Sequence, residues 1–274
     1  MNKIEFQKDA DVIKFINWIA PKLNNNFRHQ YLNSRNNSLW ICNSIYNACE
    51  NYNWKGVSFS ETTKILNSLK DEINQSIING NKKEVQLSCL KILNWGGVLL
   101  QNWDHIINND ELILSLETAK NKLNPISFDD KLQDNRIILN SGFTKIYSLI
   151  IEDFIIYDSR VSAALCHLIK LFLLESGYNL IPNSLNFKFE EGRKGESRNP
   201  NSNSSFKFSK IRRYKTVNKV IINDYTDFQI NNIKASWLLK EILENSKSNF
   251  DEIISSNQLR ALEAALFMIG YSIV

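Results

Sequence analysis

Two side chains within residues 139–168 are of types that carry out covalent chemistry. Asp158 stands directly before a long apolar run, 158–176, and Lys145 lies in a shorter apolar stretch, 141–151; both stretches predict helices. A carboxylate at a helix N-terminus is held ionised and oriented by the first amides and the helix dipole. It can then stabilise a developing positive charge and orient or deprotonate a water. A lysine with a lowered pKa could instead attack an electrophilic carbon and form a Schiff base.

The residues around Asp158 read YDSRVSAAL over 157–165, after a turn that contains Gly142. This part of the chain, about 139–168, resembles the helix-hairpin-helix DNA glycosylase superfamily. The signature of that family is a turn of small residues, a helix, and an aliphatic stretch that ends in Asp, a small residue, a basic residue and Val. The resemblance implies that Asp158 is catalytic, that the turn at Gly142 binds DNA, and that Lys145 stands where bifunctional members carry a nucleophilic lysine.

The same residues also have plainer interpretations. Asp before an apolar helix is an ordinary N-cap, and a lysine on a helix is commonly a solvated surface residue. Arg160 is either a salt-bridge residue of the first helical turn or a phosphate contact. Because a cation is unfavourable near the positive end of a helix dipole, its position indicates that an anion lies nearby.

Positive charge is concentrated in one segment, residues 185–220. It holds ten basic and three acidic residues, a local charge of +7 in a chain whose net charge is +4. Within it, the run KFSKIRRYK interleaves cations with aromatic rings, which suits phosphate binding together with base stacking. The run therefore predicts a nucleic-acid contact, with a solvated loop or edge strand as the alternative. The residues concerned are Lys207, Lys210, Arg212, Arg213, Tyr214 and Lys215.

The remaining elements must position these groups, and their periodicity predicts helices almost throughout. Further helices are expected over 9–23, 38–51, 60–78, 82–95, 110–122, 229–245 and 256–271. Residues 206–222 are expected to form a strand or an extended arm. The sequence therefore predicts an all-α fold with an irregular basic excursion before the last two helices. A single domain over 1–274 is expected, which could divide into lobes 1–130 and 131–274.

Composition excludes several other classes of protein. Only nine glycines and four prolines are present, too few for the many turns of a β-sandwich, barrel or propeller. The four cysteines show no C-x-x-C spacing, which disfavours structural zinc and iron–sulfur clusters and indicates buried thiols in a reducing compartment. The chain contains no phosphate-loop, dinucleotide-binding or common hydrolase motif, and no apolar run that could span a membrane. We expect a cytoplasmic protein without metal or cofactor.

Three functions are compatible with these observations. The first is a DNA glycosylase that hydrolyses the N-glycosidic bond of a damaged or modified base and leaves an abasic site; by analogy, it could act in defence against phage with altered bases. The second is a helical nucleic-acid-binding protein in which Asp158 is only a cap. The third is a protein-interaction module of a bacterial defence system, in which the basic segment binds an acidic protein.

Overall fold

A computed structural model describes residues 1–34, 36–129, 134, 137–192 and 195–274. The described chain forms eleven α-helices and two small antiparallel sheets of two strands each, and 57% of it is helical. The prediction of an all-α fold is therefore wrong, and the architecture is mixed.

The described chain divides into two compact units, each built from separate stretches of sequence. Unit 1 comprises 1–3, 60–156 and 212–236, and unit 2 comprises 4–59, 157–211 and 237–274. Neither unit corresponds to a lobe ending near residue 130. Each discontinuous unit is closed by contacts between residues distant in sequence, which the local periodicity of a chain does not encode.

Unit 1 consists mainly of helices. These are α4 (Phe59–Ile78), α5 (Lys82–Trp95), α6 (Leu99–Ile107), α7 (Leu112–Lys122), α8 (Phe143–Ile150) and the first part of α10 (Thr226–Glu244). Its hairpin pairs β3 (Tyr214–Val217) with β4 (Val220–Asn223). Helix α6 lies between two predicted helices and was not predicted; the predicted helices on either side of it correspond to α5 and α7.

Unit 2 combines long helices with the other hairpin. Its helices are most of α1 (Lys3–Gln7), then α2 (Ala10–Asn24), α3 (Ile45–Glu50), α9 (Ser159–Glu175), the end of α10, and α11 (Ser255–Ile269). Its strands are β1 (His29–Asn33) and β2 (Ser38–Cys42). Helix α9 packs against α2 and α11, and twelve of its residues are buried, as its apolar sequence predicted.

The error in fold class is clearest at β2, because the stretch 38–51 was expected to be one helix. A stretch of only five residues of mixed polarity is too short to distinguish the helical period of 3.6 residues from the strand period of 2 residues. Tertiary pairing decides the outcome: Trp40 lies opposite Tyr31 across the hairpin, and their rings stack with centroids 4.8 Å apart. Ser44 then accepts a hydrogen bond from the Asn47 amide and begins α3.

Candidate functional site

Asp158 is the N-cap of α9. One carboxylate oxygen, Oδ1, accepts hydrogen bonds from the amide nitrogens of Arg160 at 3.0 Å and Val161 at 3.2 Å. The side chain is half-buried. Hydrogen bonds from the helix backbone therefore hold the Asp158 carboxylate in a fixed position at the start of the buried helix α9.

Two arginines are buried near this helix start in unit 2. Arg160, 6% exposed, places its guanidinium 4.1 Å from the ring centre of Phe267 and 5.0 Å from that of Tyr271. Arg198, 9% exposed, donates from Nη1 to the Ser159 hydroxyl at 2.9 Å. Burying charge costs free energy unless the charge is paired or solvated by polar groups and aromatic rings. Aromatic rings around Arg160 and the Ser159 hydroxyl at Arg198 supply such compensation.

The backbone at Arg160 is held by close packing with the end of α11. A Cβ atom on Gly270 would lie 1.9 Å from the carbonyl oxygen of Arg160, so only glycine fits there. The approach brings Tyr271 beside the guanidinium of Arg160. Helices α9 and α11 together therefore set the position of this buried cation.

Arg160 also lines a cavity of about 750 Å³ that lies within unit 2. This volume is in the range of small-molecule sites. Aromatic rings, side-chain amides and a few charged groups form its lining, and among the described residues Arg160 rather than Asp158 reaches it. The lining includes Tyr31, Trp40, Asn51, Trp54, Arg160 and Tyr271.

Hydrogen bonds and stacking hold the aromatic wall of the cavity in place. Tyr31 stacks between Trp40 and Tyr271, with both centroid distances 4.8 Å. The Tyr271 hydroxyl donates to Asn33 Oδ1 at 2.8 Å, and the Trp40 indole donates to the Asn51 carbonyl at 3.3 Å. Because these rings are fixed before any ligand binds, a planar ligand would meet a preformed surface.

Trp54 forms another part of the lining and is carried by a tight turn. Trp54 and Val57 exchange two backbone hydrogen bonds of 3.1 Å, and the residues between them, Lys55 and Gly56, both have positive φ. Positive φ favours glycine, which is present at Gly56. The turn places the Trp54 indole against Phe267, with the ring centroids 5.3 Å apart.

Lys145 is buried in unit 1, at 6% exposure, and is not a solvated surface residue. Its Nζ donates to the Ser141 carbonyl at 2.7 Å, and its chain crosses Gly96 so closely that a Cβ there would lie 2.4 Å from Lys145 Cδ. A Schiff base needs an amine that a sugar carbon can reach. These contacts give Lys145 a packing role in α8.

Gly142 begins α8 with ordinary helical dihedral angles. A Cβ atom there would lie 2.3 Å from the amide nitrogen of Asn102, a buried side chain, and the turn amides of Gly142 and Phe143 are bound by Asn140 Oδ1. Close packing therefore accounts for glycine at this position.

The basic segment does not form one continuous element. Lys207 and Lys210 belong to unit 2, where Lys210 pairs with Glu191 at 2.8 Å. Arg212, Arg213, Tyr214 and Lys215 belong to unit 1, at the start of its hairpin. Two members of the segment, Arg193 and Lys194, lie outside the described residues. The six predicted contact residues of the segment are half-exposed or exposed.

The cysteines are all buried thiols. Burial raises the pKa of Cys42, Cys49 and Cys89 to about 12 and that of Cys166 further, which keeps each thiol protonated and unreactive. Within the described residues no group of three or more His, Cys, Asp and Glu side chains could hold a metal ion. No helix in that part of the chain is both long and apolar enough to cross a membrane.

The chain matches no protein-family model, no curated protein and no solved structure. The likeness of residues 139–168 to glycosylases stays a prediction.

Sequence reasoning had not found most of this cavity. Tyr31, Trp40 and Tyr271 come from three separate stretches, and nothing in their spacing indicates that they stack. Arg198 was counted only as part of the basic segment. The signal that could have been used is the aromatic pair at 31 and 40, flanking a polar turn, because such pairs stabilise hairpins.

Proposed function

We propose that this protein is a DNA glycosylase that hydrolyses the bond between a damaged or modified base and its deoxyribose, leaving an abasic site. The observation that carries the proposal is the start of α9. There, a carboxylate fixed by two backbone amides stands two residues from a buried arginine that lines an aromatic cavity.

The chemistry that this arrangement suits is hydrolysis. As the bond between the base nitrogen and the sugar carbon breaks, positive charge develops on the sugar, and the carboxylate of Asp158 stabilises it. A water then forms the new carbon–oxygen bond, and its proton passes to the carboxylate. The base leaves with the electron pair of the broken bond and takes up a proton from solvent, while the carboxylate releases its proton to solvent. The sum is one water consumed, one free base and one abasic sugar.

The cavity supplies the remaining requirement, which is a place for a base removed from the duplex. A glycosylase must extrude its target nucleotide and hold the base by stacking and by hydrogen bonds to its edge. Trp40 and Trp54 are half-exposed rings for stacking, and the amide of Asn51 lies beside them. Arg160 would bind a negatively charged group of the substrate.

The proposal is tested by incubating the protein with duplexes that carry different modified or mispaired bases, then heating in alkali to cut abasic sites. Asp158→Asn should lower the rate of strand breakage by on the order of 10²–10⁴-fold, since asparagine does not stabilise a cation or accept the proton. Asparagine is as good an N-cap as aspartate, so the fold should be retained.

Asp9→Asn is the matched control. Asp9 caps α2 through the same two-amide geometry, at 2.9 and 3.1 Å, and is also half-buried. It should leave the rate within about twofold of the wild type. Breakage that is absent from the wild type, or equal in Asp158→Asn, overturns the assignment. Failure of borohydride to trap a covalent complex would agree with hydrolysis by water and with the packing role of Lys145.

A second candidate is a nucleic-acid-binding protein without catalysis. It is favoured by the equivalence of the Asp158 and Asp9 caps, because the same geometry at Asp9 needs no chemistry to explain it. DNA binding that falls steeply with salt, together with no base release from any duplex, would support this candidate instead.

A further inference from the structure

The hairpin of β3 and β4 in unit 1 is exposed along almost its whole length. Seven of its eight strand residues are exposed and Lys215 is half-exposed. Several of the exposed side chains are apolar: Tyr214 is 61% exposed, Val220 59% and Ile221 71%. Soluble proteins rarely leave adjacent apolar residues in water, so a cluster of them indicates an interaction surface.

The hairpin ends in a tight two-residue turn. Val217 pairs with Val220, and between them Asn218 and Lys219 both have positive φ, at 49° and 67°. This is the turn type that matches the twist of paired strands, so the tip is rigid rather than a loose loop. A rigid turn with a valine on each adjoining strand has the form of a wedge, with the polar residues Asn218 and Lys219 at its apex.

Positive charge surrounds these apolar residues. Arg212 and Arg213 precede β3, Lys215 lies on it, and Lys219 is in the turn. The nearest acids, Asp224 and Asp227, are buried at the base of the hairpin, where Asp227 binds Arg212 at 3.2 Å.

Asp227 also accepts a hydrogen bond from the Arg212 amide, and Lys215 lies 3.9 Å from Asp224. The two carboxylates offset two of the four cations, so the hairpin and its base keep a local charge of +2, four minus two. A partner that fits this hairpin combines negative charge with planar apolar surface, as the phosphates and stacked bases of DNA do.

We infer that this hairpin inserts the apolar residues beside its turn between bases of duplex DNA, while the cations around them bind the phosphates on either side. Proteins that deform DNA use this combination of apolar wedge and phosphate-binding cations. The inference takes its partner, DNA, from the proposed function and adds a residue-level assignment: Val220 and Ile221 separate bases, and Arg213 and Lys219 bind phosphates.

The test uses the full chain and a duplex that carries 2-aminopurine beside a single mismatch, since a mispaired base costs least to open. The fluorescence of 2-aminopurine rises when its neighbours unstack. The wild type should raise it, and the double variant V220T/I221T should lower that rise at saturating protein by at least about fivefold. Threonine keeps the β-branched shape that strands favour, so the hairpin should still form.

Leu100→Thr is the control, because Leu100 is an exposed apolar residue on α6 of the same unit. It should leave the fluorescence rise unchanged. In a second series, Arg213→Gln and Lys219→Gln should each reduce the slope of log affinity against log salt by about 1, with the rise at saturation retained.

Three results would overturn the inference. One is a fluorescence rise in V220T/I221T that is as large as the rise in the wild type. Another is a loss of the rise in Leu100→Thr that is as large as the loss in V220T/I221T. The third is a dimer of the wild type that V220T/I221T abolishes, which would make the hairpin a self-association surface.

Failure of the wedge and failure of the glycosylase are distinguishable. Asp158→Asn should still unstack the duplex if the wedge is correct. Base release without a fluorescence rise would refute the wedge alone, and a fluorescence rise without base release would refute the glycosylase alone.

Discussion

Helices α2 and α9 begin in the same way but in different surroundings. Asp9 and Asp158 each accept two backbone amides on Oδ1, and both are half-buried in unit 2. Asp9 also accepts the hydroxyl of Ser184 at 2.8 Å, which ties a 3₁₀ turn to α2.

Asp158 instead stands beside Ser159, which binds a buried arginine, and Arg160, which lines a cavity. The capping geometry is therefore no evidence for catalysis. The proposal rests instead on what surrounds the cap, namely an arginine bound to Ser159 and a second arginine that lines an aromatic cavity.

The start of α9 should be the more sensitive to packing changes. Gly270→Ala places a methyl group against the backbone of Arg160, where neither side can move without shifting a helix. We expect the free energy of unfolding to fall by about 3 kcal/mol, at the upper end of overpacking effects. Urea denaturation measures this change.

Gly177→Ala is the control for Gly270→Ala. Gly177 follows the other end of α9, has nothing within 4 Å of its Cβ position, and has φ of 70°. Its cost should be about 1 kcal/mol, from backbone strain only. Equal costs at the two glycines would show that the contact between Gly270 and the backbone of Arg160 has room for a methyl group.

Acid should also affect α9, which carries His167, whereas α2 has no histidine. Burial, with smaller effects of His29 and Lys170, lowers the pKa of His167 to about 3 from its usual 6.5. The unfolded chain therefore binds this proton first as pH falls, and stability present above about pH 6.5 is lost progressively towards pH 3.

Between pH 7 and pH 5 this histidine should lower the free energy of unfolding by about 2 kcal/mol. Denaturation of His167→Leu over the same range should show a loss smaller by that amount. A loss as large as in the wild type would assign the acid sensitivity to other groups, of which His29 is one, since burial lowers its pKa as well.

Removal of the two caps should have the smallest effect. Asp9→Ala and Asp158→Ala should each lower the free energy of unfolding by about 1 kcal/mol. The loss at Asp9 should be the larger, because the Ser184 bond is lost as well. If Asp158→Ala is instead more stable than the wild type, the carboxylate is held at a cost, which is the pattern of a functional residue.

Much of the helical structure could be predicted from local sequence. The predicted helix 158–176 is α9, Ser159–Glu175, flanked by its two caps, and the predicted helices 60–78 and 82–95 correspond to α4 and α5. These helices follow from apolar spacing and capping residues close together in the chain. The hairpin at 29–42 could not be predicted in this way, because its strands depend on a cross-strand ring pair.

The candidate site shows the same division. The sequence by itself determined that Asp158 caps a buried helix and that positive charge gathers in residues 185–220, since both depend on residues near in the chain. Only the tertiary structure decided that Lys145 is packed against Gly96, that Arg160 lies among aromatic rings, and that the basic segment is divided between two units. These outcomes depend on contacts across long stretches of chain, where burial and close packing, rather than local spacing, select the neighbours of each side chain.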